Sequence, residues 1–403
     1  MKAFPAFFLA ALLANGSLYG ASNSSIEEGD DDFYNLDYDQ SIAAYEKAVA
    51  SDPEDASYHN HLAQALLYRE MYRDGALESE LVSGNNSFLR RAKLEPSPEV
   101  EQRFFSEIGR SMQLSRTRIA KNSRDTVALH QLSISFALRA NYGFLVRKSW
   151  RASLSDASQA RKYDTEVTQI DPNDYDARLL PAVYEYIVGS LNWTMRAIGF
   201  IAGFHGDKQR GIHTIEEIAQ RGSDNRVAAE IILCALYRRE GQAARAIPLV
   251  TSLSQRYPRA YLLRVELAQM YATTGDRKSA LSTLSEIARL KQNNAAGYAR
   301  IPWEKIYYET GNLEFWFNDL DHALQNLKKA TGSPQQLKEL DLNSGVLALM
   351  REGQIYDLQN NHGLAVEAYR QAVRFAPQAE AAHESQHYIN SPYTRPNHSP
   401  DRG

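Results

Sequence analysis

Four residues recur at one fixed offset, and that offset limits the fold more than anything else in this 403-residue chain. Leu233, Tyr237, Gly241 and Ala246 return 34 positions later as Leu267, Tyr271, Gly275 and Ala280. Both stretches, EIILCALYRREGQAARAIPLVTSLSQRYP and VELAQMYATTGDRKSALSTLSEIARL, read as helix, turn and helix. Apolar residues fall three and four positions apart within each helix, the mark of a single buried stripe. Gly241 and Gly275 suit a left-handed turn after the first helix, and Pro258 stops a second helix. One helical pair cannot bury both of its faces, so a chain built from such units must stack them.

These residues resemble the tetratricopeptide repeat family. Its unit sets a large and a small residue in the first helix, then a small–aromatic–small trio and a proline in the second. The pattern is clearest at Ala365, Tyr369, Ala372 and Pro377, preceded by Gly353 and Tyr356. It recurs at Ser41, Tyr45, Ala48 and Pro53, where the first helix is poor, and Leu62, Ala63 and Leu66 open the next unit. Asp171-Pro172 closes another unit, and 206–218 reads as a further second helix. Ala323, Leu327 and Ala330 mark one more, after an aromatic insertion, LEFWFND. The clearest repeats span 38–70, 225–290 and 342–377, the match is faint over 75–170, and the period gives about seven or eight helical pairs over 33–390. The resemblance implies an all-α fold over 23–390: a right-handed superhelical solenoid of antiparallel helix pairs with a concave groove. Ala48, Ala268 and Ala372 would let helices approach, and Tyr45, Tyr237 and Tyr271 would fill the wedges between pairs. Residues 74–98 read as a long connection and 391–403 as a flexible tail.

The remaining composition narrows the function. A net charge of -4 lacks the basic field of a nucleic-acid binder, so no nucleic-acid partner is expected. The single cysteine, Cys234, excludes an intramolecular disulfide and a zinc site built on several cysteines. It falls where the repeat wants a small residue and reads as a buried structural thiol. Met1 and Lys2 precede an apolar run, Ala3 to Ala14, and then the small and polar stretch NGSLYGAS. That is the pattern of a signal peptide over 1–22, cut near Gly20-Ala21-Ser22 or near Ala14-Asn15-Gly16. The run is shorter than the roughly 20 residues of a membrane-spanning helix, and no cysteine follows it to carry a lipid. Export is therefore expected, and one cysteine suits a bacterial periplasm or cell envelope. Asn85-Asn86-Ser87 and Asn192-Trp193-Thr194 also match the glycosylation triplet, a pattern common by chance.

Three stretches carry possible chemistry. His383-Glu384-Ser385-Gln386-His387 is an H-E-x-x-H, which on a helix sets two imidazoles on one face for zinc and a carboxylate to activate water. A catalytic zinc needs a third protein ligand, and His398, Asp401, Asp321, His322 and His362 show no recognisable spacing to the motif. The repeat period instead puts both histidines in the first helix of a truncated last repeat, so a polar capping helix is favoured over a zinc-dependent hydrolase. Val183 to Phe204 holds only two charges, Glu185 and Arg196, with Trp193 and Phe200 set among Gly189, Gly199 and Gly203. A buried central helix pair is favoured there, with peripheral membrane contact as the alternative. Between Arg103 and Lys162 stand twelve Lys or Arg against three acids, whereas Glu27 to Asp55 holds eleven acids against Lys47. Arg147, Lys148 and Arg151 around Trp150 could grip phosphate, stack on a base or meet anionic lipid. Solvated helix faces answered by the acidic stretch are favoured.

No phosphate loop or nucleophile elbow is present, and Gly203, Gly206 and Gly211 follow no strand. Catalytic, cofactor and metal residues are accordingly assigned as none. In the clearest repeats Ala228, Ile231, Ala235 and Arg238, then Leu262, Val265, Glu266 and Gln269, would face the groove. They lack the lysine–asparagine pattern that clamps a peptide carboxylate, and a partly apolar groove fits an extended segment or a helix. The expected function is an exported, non-enzymatic scaffold for protein–protein interaction or envelope assembly, with a protein or peptide in its groove.

Overall fold

Turns between paired helices share one backbone device in the computed structural model, which describes residues 24–77, 95–191 and 205–395. Leu36, Gly241, Gly275, Asn318 and Asn360 all take a left-handed φ, between 58° and 80°. The next N–H then bonds the carbonyl five residues back: Asp37 to Asp32 at 2.8 Å, Gln242 to Tyr237 at 2.7 Å and Asp276 to Tyr271 at 2.8 Å. Asp319 to Glu314 at 2.9 Å and Asn361 to Tyr356 at 2.8 Å complete the set. This arrangement satisfies carbonyls that a helix end would otherwise leave bare. Asparagine tolerates the left-handed conformation, so Asn318 and Asn360 serve where the clearer repeats use glycine. LEFWFND is thus no insertion: Leu313 to Trp316 complete a helix, and Asn318 turns the chain.

Every regular element among the described residues is helical, and tertiary contacts sort those residues into two units, 24–73 with 95–236 and 74–77 with 237–395. The first unit holds α1 (Ser24–Tyr34), α2 (Tyr38–Ser51), α3 (Ala56–Arg73), α4 (Pro98–Lys121), α5 (Thr126–Leu145), α6 (Trp150–Ile170), α7 (Leu179–Gly189) and α8 (Lys208–Arg221). The boundary between the units falls within α9 (Arg226–Arg239). The second unit continues with α10 (Ala243–Arg256), α11 (Tyr261–Thr273), α12 (Arg277–Gln292), α13 (Trp303–Trp316), α14 (Leu320–Thr331), the short α15 (Pro334–Glu339), α16 (Leu342–Leu358), α17 (His362–Phe375) and α18 (Glu380–Tyr388). Within each unit helices pack on the next in sequence, and first helices also pack on one another, as α3 does on α5 and α13 on α16. Nearest-neighbour packing of this kind is how a repeat array gathers its core.

Side-chain sizes explain how the pairs interlock. Tyr45 of α2 lies against Gly29 of α1, and Tyr369 of α17 against Gly353 of α16, each pair sixteen residues apart. A methyl on either glycine would stand 2.6 Å from the ring Cδ1 of its tyrosine, so the missing side chain is the slot that the ring fills. Both hydroxyls then donate to a carboxylate on the first helix, Tyr45 to Asp30 at 2.7 Å and Tyr369 to Asp357 at 2.8 Å. Ala48 and Ala372, one turn on, are fully buried, as the repeat pattern requires. The first helix opposite Tyr45 is α1, SSIEEGDDDFY, whose Ile26, Gly29 and Phe33 face inward. Its many acids hide this stripe in the sequence, where the repeat reads as beginning at 38.

First and second helices differ in burial. The first helices α3 and α5 are enclosed on almost every side, whereas α4 buries only a stripe that includes Phe104, Ile108 and Met112. Side chains that cap the helices include Asp125, which accepts from the Ala128 N–H at 3.0 Å, and Asp341, which accepts from Ser344 at 3.0 Å.

Candidate interaction surface

Polar residues on the first helices of the second unit form a continuous chain of contacts. The Arg238 guanidinium donates to Glu266 at 3.1 Å and to Gln269 at 2.7 Å. Gln269 donates onward to Glu309 at 3.3 Å, and Lys305 Nζ lies 3.4 Å from both Glu309 and Asp341. Lys305 also donates to Ser344 Oγ at 2.7 Å. Helices α9, α11, α13 and α16 are thereby tied by charges withdrawn from water, where each must find a partner. The residues expected to line an open groove are largely enclosed instead: Ala228, Ile231, Leu262, Val265, Glu266 and Gln269 are buried, and only Ala235 and Arg238 reach solvent in part. Helix α11 is packed on α10, α12 and α13, so helical position alone does not give its open face.

Burial lifts the Glu266 carboxyl to about 7, with Arg238 pulling it down and Glu309 pushing it up. Because its folded pKa lies above the unfolded one, its contribution to stability is full below about pH 4.5 and is lost as pH rises toward 7. Glu266→Gln is expected to remove this dependence. Urea unfolding of wild type and variant should diverge by up to about 3 kcal/mol between pH 4.5 and 7.5. Parallel curves would show that Glu266 does not titrate in that window.

The exposed part of this surface is aromatic. Trp316, at the end of α13, has 54% of its surface in solvent. The Arg351 guanidinium of α16 lies 4.8 Å from its ring and 4.7 Å from that of Phe315, and is held by Asn312 at 3.2 Å and Gln354 at 2.6 Å. Tyr393 and Arg395, in the segment that the sequence places in a tail, are seated beside it. The Tyr393 N–H donates to Asp357 at 2.7 Å, and Arg395 donates to the Phe315 carbonyl at 2.5 Å with its guanidinium 4.8 Å from the Phe315 ring.

The other flagged stretches sort differently. His383, Glu384 and His387 lie exposed on α18, and among the described residues no group of three or more His, Cys, Asp or Glu is arranged to hold a metal ion. His322 is bonded to Asp319 at 2.8 Å, His362 to Asp357 at 2.7 Å, and Asp321 accepts from Gln359 at 3.1 Å. His398 and Asp401 lie outside the described residues, as do the signal segment, Asn85 and 192–204. Within 183–191, Val183, Tyr186, Ile187 and Val188 are buried, and no described helix is long and apolar enough to cross a membrane. In the basic stretch, Arg103 pairs with Glu46 and Arg110 with Glu54, both acids of the N-terminal stretch. Arg147 pairs with Glu101 at 2.5 Å and lies 4.3 Å over the Phe105 ring, so an acid answers this cation within the chain. Cys234 is buried and in no disulfide.

Sequence reasoning missed a buried polar cluster in the first unit. His130 of α5 donates through Nδ1 to Asp164 of α6 at 2.8 Å. Nearby, Asn60 of α3 donates to the Gln131 carbonyl at 3.0 Å and accepts from Ser135 at 2.8 Å. No motif marks these residues. A polar residue inside an otherwise apolar helical stripe is the only signal available.

Family models of the tetratricopeptide repeat match residues 26–71, 237–301 and 347–378. No curated protein matches the sequence. Among solved structures the chain is similar to one in the crystal structure of the APC/C hetero-tetramer Cut9–Hcn1, at 14% identity and a TM-score of 0.50. The match covers 92% of this chain but only 56% of that one. The chain is also similar to yeast Tom70, at 13% identity over 92% of this chain and 97% of that one with a TM-score of 0.37. A human IFIT1 dimer with m7Gppp-AAAA is similar at 12% identity over 92% of this chain and 81% of that one, with a TM-score of 0.44. The likeness to Cut9–Hcn1 concerns the fold alone. Each of the three matched segments contains a helix pair closed by the left-handed turn, at Leu36, at Gly241 and Gly275, and at Asn360. The chain is a tetratricopeptide-repeat protein.

Proposed function

We propose that the chain is an exported, non-catalytic scaffold that holds a protein partner on the first-helix surface of its second unit, in the envelope of a bacterium. Its repeats support a protein-binding role, and the observation that carries the site is Trp316. A large aromatic left half in solvent, with its neighbour Arg351 fixed by two side-chain contacts, is the kind of anchor on which interfaces concentrate their binding energy. The positive start, short apolar run and small residues through Ser22 support export. The assembly role rests on fold-level analogy.

The test joins both parts. N-terminal sequencing of the chain from fractionated cells should find it in the envelope and beginning after Gly16 or after Ser22. Chemical cross-linking of that mature chain should then capture a partner that Trp316→Ala captures with at least about thirtyfold lower affinity, the effect of losing roughly 2 kcal/mol at an anchor. Undiminished capture by Trp316→Ala would move the site elsewhere, and an uncleaved chain in the cytosol would end the export reading.

A further inference from the structure

We propose that His383 and His387 form a chelating pair for a divalent transition ion such as Zn2+, a site separate from the partner surface above. The two residues stand four apart on α18, so their Cβ atoms are about 5–6 Å apart on one face, one turn above the other. The opposite face anchors the helix: Ala381, Ala382 and Ser385 are buried, and Tyr388 packs 5.5 Å from the Tyr369 ring of α17. That anchoring turns both imidazoles outward and holds their spacing. Both are exposed, and among the described residues neither makes a hydrogen bond or an ion pair; the one ring contact is between His387 and Tyr388. They line one surface depression with Gln378, Glu380, Glu384 and Tyr388.

Contrast with the other histidines sharpens the assignment. His322 and His362 have a nitrogen committed to a carboxylate, and His130 is buried against Asp164. Two free imidazoles one helical turn apart supply the borderline nitrogen donors that Zn2+ takes, with little ordering left to do on binding. Two protein ligands leave two positions of a tetrahedral ion for water or an incoming donor. No third ligand comes from the described residues, so the site is one for ion binding and lacks the three-ligand set of a hydrolytic centre.

The experiment is calorimetric titration of the full chain with zinc chloride in a non-chelating buffer. One zinc per chain is expected, bound at least about tenfold more weakly by His383→Ala and by His387→Ala, and with wild-type affinity by His322→Ala. All three sites of change are exposed, so circular dichroism should be the same for all four proteins. No binding by the wild type, undiminished binding by either α18 variant, or an equal loss in His322→Ala would overturn the proposal.

Discussion

Asp164→Ala is expected to destabilise the first unit by about 3–5 kcal/mol at pH 7, the cost of breaking a buried ion pair from one side. Asp164 and His130 are both buried, and their contact at 2.8 Å joins α5 to α6. Burial alone would lower the His130 pKa. The charge on Asp164 and their hydrogen bond, helped by Asp174 and Asp176, outweigh that and lift it to about 9. Burial also lifts the Asp164 carboxyl while His130 opposes it, and the short contact favours the imidazolium–carboxylate form at neutral pH. A folded pKa above the unfolded value of about 6.5 gives stability that is full below that pH and is lost as pH rises through 9. The urea midpoint of the wild type should therefore fall between pH 6.5 and 9. Replacing both partners with leucine should recover most of the loss, since an apolar pair of similar volume leaves no orphaned charge. A single variant within 1 kcal/mol of wild type at pH 7 would show that the pair contributes no ionic contact.

Gly211→Val should cost about 3 kcal/mol or more, a core overpacking against backbone that cannot yield. A Cβ at Gly211 of α8 would stand 2.6 Å from the Tyr186 nitrogen and 2.7 Å from the Ala182 carbonyl, both on α7. The seam continues at Gly206, where a Cβ would meet the Glu185 carbonyl at 2.7 Å, and at Gly189, where it would meet the Asp207 carbonyl carbon at 2.8 Å. Gly109, inside α4, offers the control: a Cβ there meets nothing within 4 Å. Gly109→Ala should raise stability by up to about 1 kcal/mol through helix propensity alone. Thermal unfolding of the two variants checks both signs. A tolerated valine at 211 would mean that α7 and α8 are not locked together by their backbones.

Those three glycines show where sequence reading succeeds and where it stops. Gly189 stands in an apolar run that reads as a buried central helix pair, where a glycine permits close packing. Gly206 and Gly211 fall in a stretch that reads as a second helix, and nothing in their spacing names the helix that lies against them. Likewise Gly241 and Gly275 announce their turns, while Asn318 and Asn360 make the same turn with a residue common in many loops. Helix α1 went unread because acids outnumber the three residues of its buried stripe.

The local pattern by itself determined the unit: a helix of fixed apolar spacing, a left-handed turn, and a second helix with small and aromatic residues at set places. Such information lies within about 34 residues, so it survives in the sequence wherever the repeat is clean. Tertiary structure alone decided which flank of each first helix stays open. Glu266 and Gln269 sit at positions that helical geometry turns toward a groove, yet contacts with Arg238 and with α13 remove them from solvent. Burial of a polar side chain depends on partners brought from other repeats, and Arg238 meets Glu266 across 28 residues while Gln269 meets Glu309 across 40. Helical periodicity fixes the direction of a side chain, and only packing fixes what it meets there.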